Sequence, residues 1–263
     1  MKQNLRKRLA CLLLSALLLI GCLPVTALAA ENGFILVVEA GGKLVIAPEY
    51  ISCTAGQTAA QALSASGHTF TGLDTGMISA IDGVTGNFTR SDENGNYDLS
   101  VSAASIGYLR FSEDMDSKPS DGLKQLMTAM ADYKKKGSDV QAAAKKEYDT
   151  ASDLFVGINS ESAKTLASNL NDAVRNYENT LTGEHYAVRF TDGSAAYSDD
   201  NYPGVSITTV NAYGKQWTDD GDGVLELPKG DYTFCVEQAG LRVEGKITVS
   251  AAATVSAELP QSE

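Results

Sequence analysis

Side chains able to make or break bonds are few and far apart in this chain. His68 and His185 are the only histidines among 263 residues, and neither has a cysteine or a second histidine beside it at metal-ligand spacing. A Ser-His-Asp relay therefore has little to be built from, and no nucleophile elbow, dinucleotide fingerprint or P-loop occurs; Gly41-Gly42-Lys43 reads as a hairpin tip. Asp219, Asp220 and Asp222 ahead of Gly223 approach a calcium loop. That frame needs an acid at position 218 and another at 229, where the chain has Thr218 and Lys229, so a tight turn between strands is expected. Asp92, Asn94 and Asn96 miss the same frame because Tyr97 stands where glycine is needed. The remaining chemistry is aromatic. Tyr197, Tyr202, Tyr213 and Trp217 would form an exposed platform for sugar rings or a protein partner, or else pack as strand residues into a sheet. No catalytic residue, metal ligand or cofactor is expected.

The strongest periodicity lies between Pro119 and Gly183. Leu123, Leu126, Met127, Met130 and Tyr133 recur at steps of three and four, which predicts a helix with one apolar stripe, started by Ser120 and Asp121 and stopped by Lys134 to Lys136 and Gly137. A second helix is expected from Ser138, capped by Ser138 with Gln141, with Val140, Ala144, Tyr148, Ala151 and Phe155 inward and an interruption at Gly157. A third begins near Asn159 or Ser160 and carries Ala163, Leu166, Ala167, Leu170, Val174, Tyr177 and Leu181 up to Gly183. Small residues alternate with large ones, so close packing in a helical bundle or hairpin is expected.

The first residues carry Lys2, Arg6, Lys7 and Arg8, then a leucine-rich run from Leu9 to Ile20, then Ala27-Leu28-Ala29, the pattern of a signal peptide over 1–29. Leu19-Ile20-Gly21-Cys22 resembles a bacterial lipobox, so lipidation at Cys22 is the competing outcome to cleavage after Ala29. Cleavage would leave 17 basic against 33 acidic residues, a formal charge of −16. Such a surface repels phosphate backbones, so nucleic acid is not expected as a partner, and membrane contact is expected only if Cys22 is lipidated. Cys53 and Cys235 are the cysteines beyond the leader. Two are too few for a disulfide framework; they would be small buried hydrophobes or a single long-range pair.

Residues 34–113 read as an α+β module. Phe34 to Glu39 and Lys43 to Ala47 form a hairpin across Gly41-Gly42, Tyr50 to Cys53 follow Pro48 as a separate short strand, and a helix capped by Thr58 runs towards Gly67. Met77 to Val84, Tyr97 to Val101 and Ile106 to Phe111 supply further strand runs, with a polar tip from Asp92 to Asn96. Gly56-Gln57-Thr58-Ala59 with Ala62-Leu63, and Ile78 to Val84, resemble the β-grasp domains similar to the C-terminal domain of transcobalamin, found in secreted proteins of Gram-positive bacteria. The resemblance implies the fold and no site residue.

Residues 184–260 alternate at strand length six times, with turn signals at Asp192-Gly193, Pro203-Gly204, Asp219 to Gly223, Lys229-Gly230 and Ala239-Gly240, which predicts a β-sandwich. Gly204 to Thr208, the Asp-Gly turn, Leu227 to Phe234 and the final Thr254 to Leu259 resemble the prealbumin-like sandwich of carboxypeptidase-regulatory and collagen-adhesin B repeats. Arg189 stands where those adhesins carry an isopeptide lysine, and Glu237 is out of phase with the strand face, so no isopeptide bond is expected. Tyr148, Phe155, Tyr177 and Glu178 resemble helical spacer repeats of clostridial surface proteins. The fold expected is thus α+β and multidomain: β-grasp at 34–113, helical spacer at 119–183 and prealbumin-like sandwich at 184–260. The function expected is a non-catalytic secreted or cell-surface module that binds or displays, with an extracellular protein or glycan as partner. The alternatives are an extracellular corrinoid-like small-molecule or glycan binder, or a non-catalytic subunit of an extracellular enzyme.

Overall fold

The computed structural model describes residues 33–54, 56–75, 77–92, 107–113 and 119–260. The leader with its two processing sites, the run 97–101 and most of the tip before it lie outside the described residues. The order of elements is β1 (Gly33–Ala40), β2 (Lys43–Ser52), α1 (Ala59–Ser64), β3 (Phe70–Thr71), β4 (Ala80–Ile81), β5 (Val84–Thr85), β6 (Thr89–Asp92) and β7 (Tyr108–Ser112). Three helices follow, α2 (Asp121–Lys134), α3 (Ser138–Asp153) and α4 (Ser160–Thr182). The chain then forms β8 (His185–Thr191), β9 (Ser206–Asn211), β10 (Gln216–Thr218), β11 (Val224–Pro228), β12 (Gly230–Gln238), β13 (Leu241–Val249) and β14 (Ala253–Ser256). It is a mixed α+β protein of two compact units: one holds the chain to Leu36 with Tyr50–Lys118, the other Val37–Glu49 with Pro119–Glu263. No helix among the described residues is long and apolar enough to cross a membrane.

A four-stranded sheet has the order β2-β1-β7-β6, with β1 and β2 each divided between the two units, and in the first unit β3, β4 and β5 form a small separate sheet. Phe34, Leu36, Leu63, Ile81 and Phe111 are fully buried. Helix α1 starts with a reciprocal cap: Gln61 N–H donates to Thr58 Oγ1 at 3.2 Å and Thr58 N–H to Gln61 Oε1 at 2.9 Å. The expected break at Pro48 is absent. Strand β2 runs straight through it because β2 is the edge of its sheet, where a residue without an N–H costs no ladder bond. The run from Met77 to Val84 is instead split by a two-residue turn, with Asp82 at φ 48 and Gly83 at φ 80, the left-handed pair that suits a tight hairpin.

In the second unit the helices begin where side-chain caps are available. Ser120 Oγ accepts from Leu123 N–H and Asn159 Oδ1 from Ser162 N–H. The box expected from Ser138 and Gln141 does not form. Gln141 donates its amide to the carbonyls of Lys134 and Lys136, which the end of α2 leaves without helical partners, and Gly137 takes the N-cap position of α3. Helix α3 ends at Asp153, short of Gly157, and Phe155 is buried beyond it. Leu126, Met127 and Met130 of α2, Ala144 and Ala151 of α3, and Ala163, Ala167 and Leu170 of α4 are all buried. Lys134, in the last turn of α2, donates to Ala47 O at 2.9 Å and to Glu49 at 3.1 Å.

Two sheets of the second unit, β10-β9-β12-β13 and β11-β8-β14, close on one core that includes Val188, Phe190, Leu225, Leu227, Phe234 and Val236. The alternation of β12 explains the packing: Tyr232, Phe234 and Val236 are buried while Asp231, Thr233 and Glu237 are exposed. Strand β14 pairs parallel with β8 and β11 antiparallel. Strand β10 adds beside β9; in the sequence it shows only as Trp217, one of the aromatics that would pack as strand residues, because three residues are too short to show alternation. Cys53 and Cys235 are both free and half-buried, so no pair forms.

Candidate functional site

The local chemistry of Asn211 builds the most developed surface feature. At the end of β9 its Oδ1 accepts from Tyr213 N–H at 3.0 Å and Lys215 N–H at 2.9 Å, closing a turn in which Gly214 adopts φ 83. Its Nδ2 donates to the Tyr177 hydroxyl on α4 at 2.8 Å, and that hydroxyl donates to Asp139 Oδ2 at 3.3 Å. The Tyr177 and Tyr213 rings meet edge to face with centroids 4.9 Å apart. Tyr213 remains 43% exposed, which puts a large ring at the mouth of a groove.

That groove encloses about 490 Å³ between α3, α4 and the turns after β9 and β11; Glu147, Asn176, Tyr177, Tyr213, Lys229 and Tyr232 line it. The volume falls in the range typical of ligand sites. Tyr232 forms part of the floor, with its hydroxyl donating to Pro228 O at 2.7 Å. Burial first, and then the neighbouring Tyr177, push Tyr232 up to about 12. Burial likewise raises Tyr148, where α3 stacks on α2 through Tyr133 with centroids 4.3 Å apart, to about 12. A folded-state value above the usual 10 means that the neutral hydroxyls stabilise the fold fully below pH 10. The stabilisation is lost as pH rises from 10 through about 12. Ultraviolet titration of tyrosinate should therefore show Tyr148 and Tyr232 ionising near the alkaline unfolding transition; their ionisation near pH 10 in the folded protein would contradict their burial.

The four aromatic residues singled out in the sequence do not share one surface. Tyr197 is only 1% exposed, so its place in an exposed platform is corrected: its hydroxyl donates to Ala257 O at 2.6 Å and its ring packs on Tyr202. Tyr202 is half-buried and donates its hydroxyl to Asp192, a bond that raises the tyrosine to about 12. The N–H of Ala195, the Tyr202 hydroxyl and the N–H of Ser194 together hold Asp192 well below the usual carboxylate range. Trp217 packs edge-on against Tyr232 at 5.4 Å, on the edge of the sandwich core. Of the four, Tyr213 alone stands open at the groove. Asn176, Glu147 and Lys229 carried no signal in the sequence, since a polar residue on a helix or turn reads as ordinary solvated surface.

His68 does meet an acid. Its Nδ1 lies 2.7 Å from Asp82 Oδ2, and Asp82 Oδ1 accepts from Thr69 N–H at 2.8 Å. Partial burial works against the Asp82 charge, but the Thr69 N–H and His68 outweigh it and hold the carboxyl below its ordinary value. The pair pins the left-handed Asp82 turn to the segment before β3, within the first unit, beside an open cavity of about 490 Å³ lined by Gln61, His68 and Phe70. His185 is exposed on β8. Asp219, Asp220 and Asp222 bring carboxylate oxygens within 4.8 Å of one another. Asp219 Oδ2 accepts from Gly223 N–H at 3.2 Å and Asp222 from Val224 N–H at 2.8 Å, the bonding of a turn that caps its own backbone. Burial first, and then the neighbouring Asp222, raise Asp219.

No known family model matches the chain, and neither a curated protein nor a solved structure is significantly similar to it.

Proposed function

We propose that this protein is a non-catalytic binding and display module, exported through its leader and released or held at the surface of a Gram-positive bacterium. The observation that carries the reading is the groove beside Tyr213: a ligand-sized depression with an exposed ring at its mouth and with Glu147, Asn176 and Lys229 among its lining residues. Those side chains offer hydrogen-bond donors, acceptors and a ring face to an occupant. The strand order β2-β1-β7-β6 with a helix after the second strand supports a β-grasp first unit, and the four-plus-three arrangement with β14 parallel to β8 supports a prealbumin-like sandwich. On this reading α2 to α4 are the spacer that carries the groove's helical wall.

A second reading is a small-molecule binder, of corrinoids for example, in the first unit; the cavity beside His68 favours it. Thermal denaturation in the presence of hydroxocobalamin, calcium, uncharged oligosaccharides or extended peptides separates the two. A ligand at a hundredfold excess over its Kd stabilises by about 2.7 kcal/mol. Saturable stabilisation by a sugar or peptide supports the groove, stabilisation by hydroxocobalamin alone supports the second reading, and turnover of any of them would overturn both. Intact mass of the exported protein gives the address: a mature chain beginning at Ala30 means release, and a lipid-modified Cys22 means tethering.

A further inference from the structure

The groove restricts its occupant in four ways. It is long: the cavity of about 490 Å³ adjoins a second of about 400 Å³ that shares Asn211, Asp231 and Tyr232 with it and runs over the outer face of β9, β12 and β13 past Thr233 and Lys246. An elongated, open trough suits a chain molecule better than a compact cofactor. Along the middle of its floor no backbone is free: strand β12 is paired on both sides, with Tyr232 opposite Asn211 on one and Ile247 on the other, so an extended peptide finds a ladder only at the outer edge of β13. Recognition on the floor itself falls to side chains. The charges along the groove balance, Glu147 and Asp231 against Lys229 and Lys246, in a chain whose formal charge is −12. Such a lining selects neither an anion nor a cation. Finally, the side chains of Glu147, Asn176, Lys229 and Lys246 make no hydrogen bond or ion pair among the described residues, which leaves both donors and acceptors for hydroxyl groups. The exposed ring of Tyr213 supplies the apolar surface on which the C–H face of a pyranose packs.

Building on the binding reading above, we infer that this groove holds a short run of an uncharged oligosaccharide, with Tyr213 under one ring and Asn176, Glu147, Lys229 and Asp231 bonding its hydroxyls. Trp217 is the single tryptophan and touches Tyr232 in the floor, so its emission reports occupancy. The test titrates the full chain with cellotetraose, mannotetraose and tetra-N-acetylchitotetraose. At least one should give a saturable emission change, weakened about tenfold by Tyr213→Ala, the loss of one well-packed ring contact. Asn176→Ala, on an exposed helical position, should weaken it as well without lowering the melting temperature. No saturation with any of the three sugars overturns the inference, as does sugar binding that neither substitution alters. Binding of an extended uncharged decapeptide in place of the sugars overturns the sugar assignment and leaves the binding reading standing. Cleavage of a bound sugar overturns the binding reading itself.

Discussion

Gly122→Ala should destabilise the second unit by about 1–3 kcal/mol, although the same change in most helix interiors is favourable by up to about 1 kcal/mol. The sign reverses because Gly122, one residue into α2, lies against the start of α4. A Cβ there would sit 1.9 Å from Ser160 O and 2.7 Å from Ser160 C, which is main chain and cannot swing aside. The two helices would have to move apart, loosening Leu126, Met130 and Leu170 together. Ser160→Ala is the matched control. It removes only the hydroxyl that accepts from Gly122 N–H at 3.2 Å and should cost about 1 kcal/mol. Urea denaturation followed at 222 nm measures both. A neutral or stabilising Gly122→Ala would mean that the helices do not approach as closely as described.

The larger effect is expected from Phe190→Ala, at about 3–5 kcal/mol. Phe190 is fully buried in the central strand β8 of its sheet and meets Phe234 of the facing sheet edge to face at 5.4 Å. Phe234 in turn covers Gly245 on the neighbouring strand, where an added Cβ would fall 2.4 Å from the ring. Removing Phe190 therefore leaves a cavity that neither sheet can close, because Gly245 has no side chain to offer and Phe234 is already held. Since the helices and the sandwich belong to one compact unit, the helical signal and Trp217 emission should fall in the same transition, lowered by about 10 °C. Separate transitions, with only the tryptophan signal shifted, would show that the helices fold independently of the sandwich.

The elements were legible in the sequence wherever a period ran long enough to be read. The stripe from Leu123 to Tyr133 and the longer one from Ala163 to Tyr177 became α2 and α4 with caps at Ser120 and Asn159, because burying such a face and satisfying the first N–H groups are local matters. What escaped was decided by distant neighbours. Pro48 reads as a break and is tolerated because β2 is an edge, and Gln141 serves α2 rather than its own helix because the open carbonyls are there. The same holds for the site. Tyr213 was visible as one of four aromatic residues that would form a platform or pack as strand residues, but its exposure depends on Asn211 shaping the turn after β9, while Tyr197 carries the same ring into the core. Glu147, Asn176 and Lys229 come together from two helices and a turn far apart in the chain, a grouping that no local spacing encodes.

Isothermal titration calorimetry of the full chain with the oligosaccharide that perturbs Trp217 emission tests most directly whether the groove binds without bond chemistry. Binding alone predicts heat pulses that diminish to saturation, each returning to baseline, with the sugar recovered unchanged. A sustained heat flow after each injection, with shortened sugars in the cell, would contradict it.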